Sequence, residues 1–170
     1  MIISTHCAWL PGDKRGWRSR DHRIHSSGDY KNPPPRDEHD GLLRYNKARS
    51  AKSVIIPQNC RATVGNAIVG CLLDQKYRVL VASVSGMHAH FLVELPGLLP
   101  KVRRIVGVCK AKSSGAIRKA IPGRVWAERG KYLWVKDRPH LLEAYRYIRD
   151  KQGPKAWVWT FRPDDLTMRV

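Results

Sequence analysis

The clearest pattern lies mid-chain, where YRVLVASV (77–84) and HAHFLVEL (88–95) carry strand-like apolar runs separated by a short stretch containing Ser85-Gly86. Two such runs joined by a tight turn predict an antiparallel hairpin. Upstream, CRATVGNAIVGCLLDQKY sets Val64, Ile68, Cys71 and Leu72 at helical spacing, which predicts a helix over 61–76. Downstream, Pro96 ends the second strand, and Val102, Ile105, Val106 and Cys109 recur at i, i+3, i+4 and i+7. That stripe predicts a second amphipathic helix from Leu99, with Lys101, Arg103, Arg104 and Lys110 opposite it and Ser113-Ser114-Gly115 as a point of bending.

The flanks are read the same way. MIISTHCAWL predicts a first strand ending near Leu10, broken by Pro11-Gly12. From about 13 to 57 the chain is polar, includes Pro33-Pro34-Pro35 and shows little periodicity, so it reads as a long excursion. GRVWAERGKYLWVKD predicts a hairpin turning at Arg129-Gly130, with 125–128 and 132–135 as arms and Trp126 and Trp134 packed within it. Asp137 caps a last helix that has Pro139 in its first turn and stops at Gly153-Pro154. In the tail AWVWTF, Trp157 and Trp159 alternate and are expected to cover the core. The expected architecture is a single α+β domain over 1–170 whose helices pack on one face of an antiparallel sheet.

Charge narrows the partner. Lys and Arg number 32 against 14 Asp and Glu, a formal +18 spread along the whole chain, which implies a polyanionic partner. Nucleic acid is the expected one, because each neutralised phosphate releases condensed counterions. No apolar run approaches the roughly 18 residues of a membrane span and no export signal is visible, so a cytoplasmic location is expected, nucleoid-associated when bound to DNA. Cys7, Cys60, Cys71 and Cys109 show no paired spacing and read as reduced thiols.

Candidate chemistry begins in the second strand of the central hairpin. Residues two apart on a strand share a face, so His88 and His90 project together while Ala89, Phe91, Val93 and Leu95 face the core. Two neighbouring imidazoles suit one divalent ion, whose third ligand must come from elsewhere in the fold. In the last helix, Leu141, Tyr145 and Ile148 fall on the packed face, whereas Tyr147 shares a flank with His140, Glu143, Ala144 and Lys151. Its phenol is displayed beside cations.

MHAHFLVEL, followed by a basic helix, a Trp-containing segment and AYRYIRDKQG, resembles the single-tyrosine HUH transposases, the group that includes REP-associated tyrosine transposases. The opening HCAWLPGDKRGW is similar to a Gly-Thr-Trp-Leu-like family start, so the resemblance spans Met1 to Trp159. It implies a ferredoxin-like sheet whose two central strands carry the histidines, with a nucleophilic tyrosine on the C-terminal helix. His88 and His90 match the metal pair, and Tyr147 matches the nucleophile, with Tyr145 as the alternative. The family's third ligand, a Gln or Asn four residues after the tyrosine, is replaced here by Lys151, which leaves Gln152 or Asp150 for that role.

The resemblance further implies Mg²⁺ or Mn²⁺ as the cofactor, single-stranded DNA with hairpin elements as the substrate, a 5′-phosphotyrosine intermediate, no nucleotide cofactor and a homodimer. Arg103, Arg104, Lys110, Lys112, Ser113 and Ser114 are the expected phosphate holders. The departure at Lys151 favours an alternative, a catalytically inactive nucleic-acid-binding protein of the same fold. A third expectation, hydrolytic phosphoester cleavage, would need a second His-x-Thr/Ser motif that His6-Cys7-Ala8 does not supply.

Overall fold

The computed structural model describes residues 1–17, 25–28, 32–35 and 37–161. The chain divides into two compact units, one formed by Met1–Thr5 with Ile55–Val170 and the other by His6–Val54. The larger unit is α+β. Its strands are β1 (Ile2–Thr5), β2 (Val79–Val84), β3 (His88–Val93), β4 (Trp126–Lys131) and β5 (Trp157–Thr160), and its helices are α2 (Gln58–Asp74), α3 (Leu99–Ala116) and α4 (Arg138–Asp150). The smaller unit holds α1 (Asp40–Arg49).

All strand pairs are antiparallel, in the order β4-β1-β3-β2-β5. The predicted central hairpin is present, and its turn is closed by the Ser85 backbone N–H and hydroxyl, which both donate to the His88 carbonyl at 2.9 Å. α2 connects β1 to β2, and α3 connects β3 to β4, so each helix carries the chain across the sheet.

The helices lie on both faces of the sheet, not on one as the pattern suggested. Residues opposite each other across an antiparallel ladder share a face. Ala82 pairs with Phe91, and Val84 pairs with both Ala89 and Trp157. α2 covers this face, because Gly65 packs flat against the Trp157 indole and any Cβ there would collide with it. The opposite face carries the row Val158, Ser83, His90 and Ile2, and beside it Ser4 paired with His88. α4 covers that face through Ile148, which is buried with Val81 and Leu92, and through the flanking Leu141, Ala144 and Tyr145. A register shift between Val79 and Val81 lets the adjacent Leu80 and Val81 both reach this cluster.

Several local expectations change. The hairpin expected at Arg129-Gly130 is a single strand, β4, running through both residues along β1. Gly130 pairs with Ile3, and a Cβ there would lie 3.0 Å from the Ile2 carbonyl, so the glycine serves a close strand approach instead of a turn. Trp134 consequently has no second arm to pack in and is 58% exposed. α3 continues through Ser113-Ser114-Gly115 without a break; the Ser113 hydroxyl donates to the Lys110 carbonyl one turn back and satisfies itself within the helix. The first strand ends at Thr5, just before Cys7 takes a left-handed backbone with φ of 55°. The tail forms the edge strand β5 on β2.

In the smaller unit, α1 occupies part of the stretch read as irregular and buries none of its residues, which explains the missing periodicity. Among the described residues there, Trp17 is a buried aromatic. Its backbone exchanges bonds with Ser26, and its ring meets His39 edge-on at 5.1 Å. Gly12, with φ of 91°, sits so close to the backbone of Leu43 that no side chain fits. Residues 18–24, 29–31 and 36 of the expected excursion lie outside the described residues.

Candidate metal and tyrosine site

His88 and His90 project from β3 toward the α4 face with ring centroids 4.8 Å apart and planes at 85°. This face is covered, so His90 is only 7% exposed. Burial, followed by the neighbouring charge of His88, lowers the His90 pKa from 6.5 to about 4. Its imidazole is therefore neutral near pH 7, the form that offers a lone pair to a cation.

α4 begins at Asp137, whose Oδ1 accepts the His140 backbone N–H at 2.8 Å, as expected of an N-cap, with Pro139 in the first turn. Once Ile148 is anchored on Val81 and Leu92, the helical phase turns Tyr147 outward at the rim of the contact. Its ring stands 5.7 Å from that of His90, at 72°. Tyr147 is also 47% exposed, so one side of its ring borders His90 and the other borders solvent. Tyr145, the alternative nucleophile, packs against the Val81, Leu92 and Ile148 cluster, with the Arg149 guanidinium over its ring at 5.6 Å. The structure thus brings His88, His90 and Tyr147 together and holds Tyr145 in packing.

The third-ligand candidates are engaged elsewhere. The Gln152 amide folds back and donates to the Tyr147 carbonyl at 3.1 Å, closing the end of α4. The Asp150 carboxylate accepts two bonds from Arg149, at 2.7 and 2.9 Å, which hold its pKa below the ordinary carboxylate range. Lys151 caps the helix through its backbone N–H to the same Tyr147 carbonyl. Among the described residues no group of three His, Cys, Asp or Glu converges on one point. No protein-family model, curated protein or solved structure matches this chain.

The fit to a divalent cation therefore rests on the donors themselves. Two imidazoles on one face, one of them held neutral by burial, suit two coordination positions, and among the described residues no third His, Cys, Asp or Glu joins them. One further polar atom belongs to this face. Ser83 lies directly opposite His90 across the β2–β3 ladder, is 1% exposed, and its hydroxyl has no hydrogen-bond partner among the described residues. A buried hydroxyl left in this state costs about 1–3 kcal/mol. Sequence reading passed over Ser83 as the one polar residue of an apolar run; strand register is the signal that pairs it with His90.

The expected phosphate holders divide. Arg103 and Arg104 are exposed on α3, and Ser114 is half-buried there. Lys112 is exposed and pairs with Asp74 at 3.7 Å. Lys110 is committed to β4, donating to the carbonyls of Ala127, Glu128 and Arg129 at 2.8, 3.2 and 3.2 Å, and burial lowers its pKa. Ser113 is fully buried and accepts the Trp126 indole N–H at 3.0 Å, so its hydroxyl offers nothing to a strand on the surface. Cations unremarked in the sequence stand nearer the tyrosine instead. Arg138 and Arg146 stand with Tyr147 and Lys151 on the open outer side of α4, which also carries Glu143 and Asp150.

Among the described residues, no helix is long and apolar enough to cross a membrane.

Proposed function

We propose that this chain is a single-strand DNA transesterase of the single-tyrosine HUH transposase kind, acting in the cytoplasm as a homodimer with Mg²⁺ or Mn²⁺. The observation that carries the reading is the 5.7 Å approach of the Tyr147 ring to His90, itself 4.8 Å from His88, because nucleophile and imidazole pair come from elements 57 residues apart (147 − 90). The order β4-β1-β3-β2, with α2 and α3 as crossovers, is the split βαβ arrangement of ferredoxin-like sheets and supports the same reading. The formal charge of +18 supports a polyanionic substrate.

In this mechanism the Tyr147 oxygen attacks a backbone phosphorus of a single strand. A P–O bond to tyrosine forms, the bond to the 3′ oxygen breaks, and the strand leaves as a 3′-hydroxyl after taking up a proton. The 5′-phosphotyrosine keeps the ester energy, so a 3′-hydroxyl reverses the attack and rejoins DNA without a nucleotide cofactor. His88 and His90 would hold the divalent cation, which supplies Lewis-acid neutralisation of phosphate charge. Arg138, Arg146 and Lys151, on the same outer side of α4 as the phenol, would give incoming phosphates cationic contacts among the carboxylates Glu143 and Asp150. Incubation with single-stranded DNA hairpins and Mn²⁺ is expected to yield a covalent protein–DNA adduct that Tyr147→Phe abolishes. An adduct undiminished in that variant rejects Tyr147 as nucleophile.

A second reading is favoured by one observation, the engagement of both Gln152 and Asp150 away from the imidazoles. On that reading the chain binds nucleic acid without cleaving it. Strand binding that is unchanged by chelator, with no adduct from any hairpin tested, would establish it.

A further inference from the structure

We infer that Ser83 is a positioning residue for the imidazole pair: its buried hydroxyl, unbonded in the metal-free chain, takes up the ring N–H of His90 when the other ring nitrogen binds a divalent cation. The inference rests on the proposed reading of His88 and His90 as cation ligands. Ser83 and His90 are register partners on adjacent strands and share the α4 face. Partners in such a pair have Cβ atoms about 4.5–5.5 Å apart, which brings a serine hydroxyl within reach of an imidazole nitrogen.

Two facts single out Ser83 from the polar residues nearby. It is 1% exposed and has no hydrogen-bond partner among the described residues, so nothing in the packing of β2 accounts for a hydroxyl there. Its strand neighbours Val81, Ala82 and Val84 are fully buried and apolar, the composition expected of a strand covered on both faces. A ligating imidazole characteristically engages its second nitrogen with a fixed polar group, which sets the tautomer and ring orientation. Ser83 is the side chain placed to do this from β2. His88 has a comparable row partner in Ser4 on β1, so each ring is flanked by a serine on the adjacent strand.

The test titrates Mn²⁺ into the full chain and into Ser83→Ala and His90→Ala, reading free Mn²⁺ by electron paramagnetic resonance, with thermal unfolding of the metal-free proteins measured in parallel. Ser83→Ala is expected to weaken Mn²⁺ binding about 10- to 100-fold. Its metal-free unfolding temperature should be unchanged or higher, because the hydroxyl it removes has no internal partner. Binding equal to the parent in Ser83→Ala, with loss in His90→Ala, overturns the inference and leaves the imidazole pair standing. An unfolding temperature lowered by several degrees in the metal-free Ser83→Ala protein also overturns it, by giving the hydroxyl a packing role. Absence of Mn²⁺ uptake by the parent chain overturns the cation reading and the Ser83 inference with it.

Discussion

The two faces of the sheet bury similar strands and differ in what they exclude. Under α2, Ile68, Ala82, Val84, Ala89 and Phe91 make a dry apolar layer in which every side chain serves packing. Under α4, the same strands present Val81 and Leu92 beside His88, His90 and Ser83, and the helix leaves Tyr147 half in solvent. One face is packed with apolar side chains alone; the other also buries His90 where water cannot stabilise its charged form. The difference follows from side-chain alternation, which lets one strand, β3, supply Phe91 to the core and His90 to the candidate site.

The comparison breaks most severely on the apolar side. Phe91→Ala, at a fully buried position, is expected to cost about 3–5 kcal/mol in denaturant unfolding, more than Ile148→Val or Tyr147→Phe on the α4 face.

Next comes acid. Because the His90 pKa is lowered to about 4 in the folded chain, the unfolded chain takes up the proton first as pH falls below about 6.5. The His90 contribution to stability is therefore intact above pH 6.5 and is lost progressively as pH falls to 4, by about 3 kcal/mol in total. Unfolding free energies of the parent and His90→Gln, measured from pH 7 to pH 4, should show the steeper decline in the parent. Equal slopes would mean that the α4 face does not keep His90 from its proton.

Smaller still is Ile148→Val, which removes one methylene from the α4 contact. It should cost about 0.5–1.5 kcal/mol. If Ile148 sets the phase of the helix, adduct yield falls more than stability does. Least disturbing to the fold is Tyr147→Phe, which should change stability by no more than about 0.5 kcal/mol in thermal or denaturant unfolding because the phenol is half exposed. A larger loss would make Tyr147 a packing residue of the α4 face.

Much of this was legible in local pattern. The central hairpin, the stripe of α3 and the Asp137 cap are short-range features, so spacing and residue type suffice to read them. The histidine pair was legible for the same reason. β4 was not, because Arg129-Gly130 carries the residues of a turn, and only the approach of β1 gives Gly130 another purpose. Ser113 and Lys110 looked like surface phosphate contacts because helical phase cannot report that Trp126 and the β4 carbonyls would arrive beside them. Gln152 and Asp150 looked available as ligands, since a sequence does not record that the Tyr147 carbonyl and Arg149 already use them.

By itself the amino-acid order determined the strand and helix periods, the positive charge and the side of β3 on which the imidazoles stand, all properties set within a few residues along the chain. Tertiary structure alone decided which helix covers that side, that Tyr147 borders His90, and that Ser83 shares its row. Those are meetings of segments up to 64 residues apart (147 − 83), governed by strand register and by the burial of Ile148 on Val81 and Leu92. Contacts of that range depend on how whole elements exclude water together, and no local spacing encodes the result.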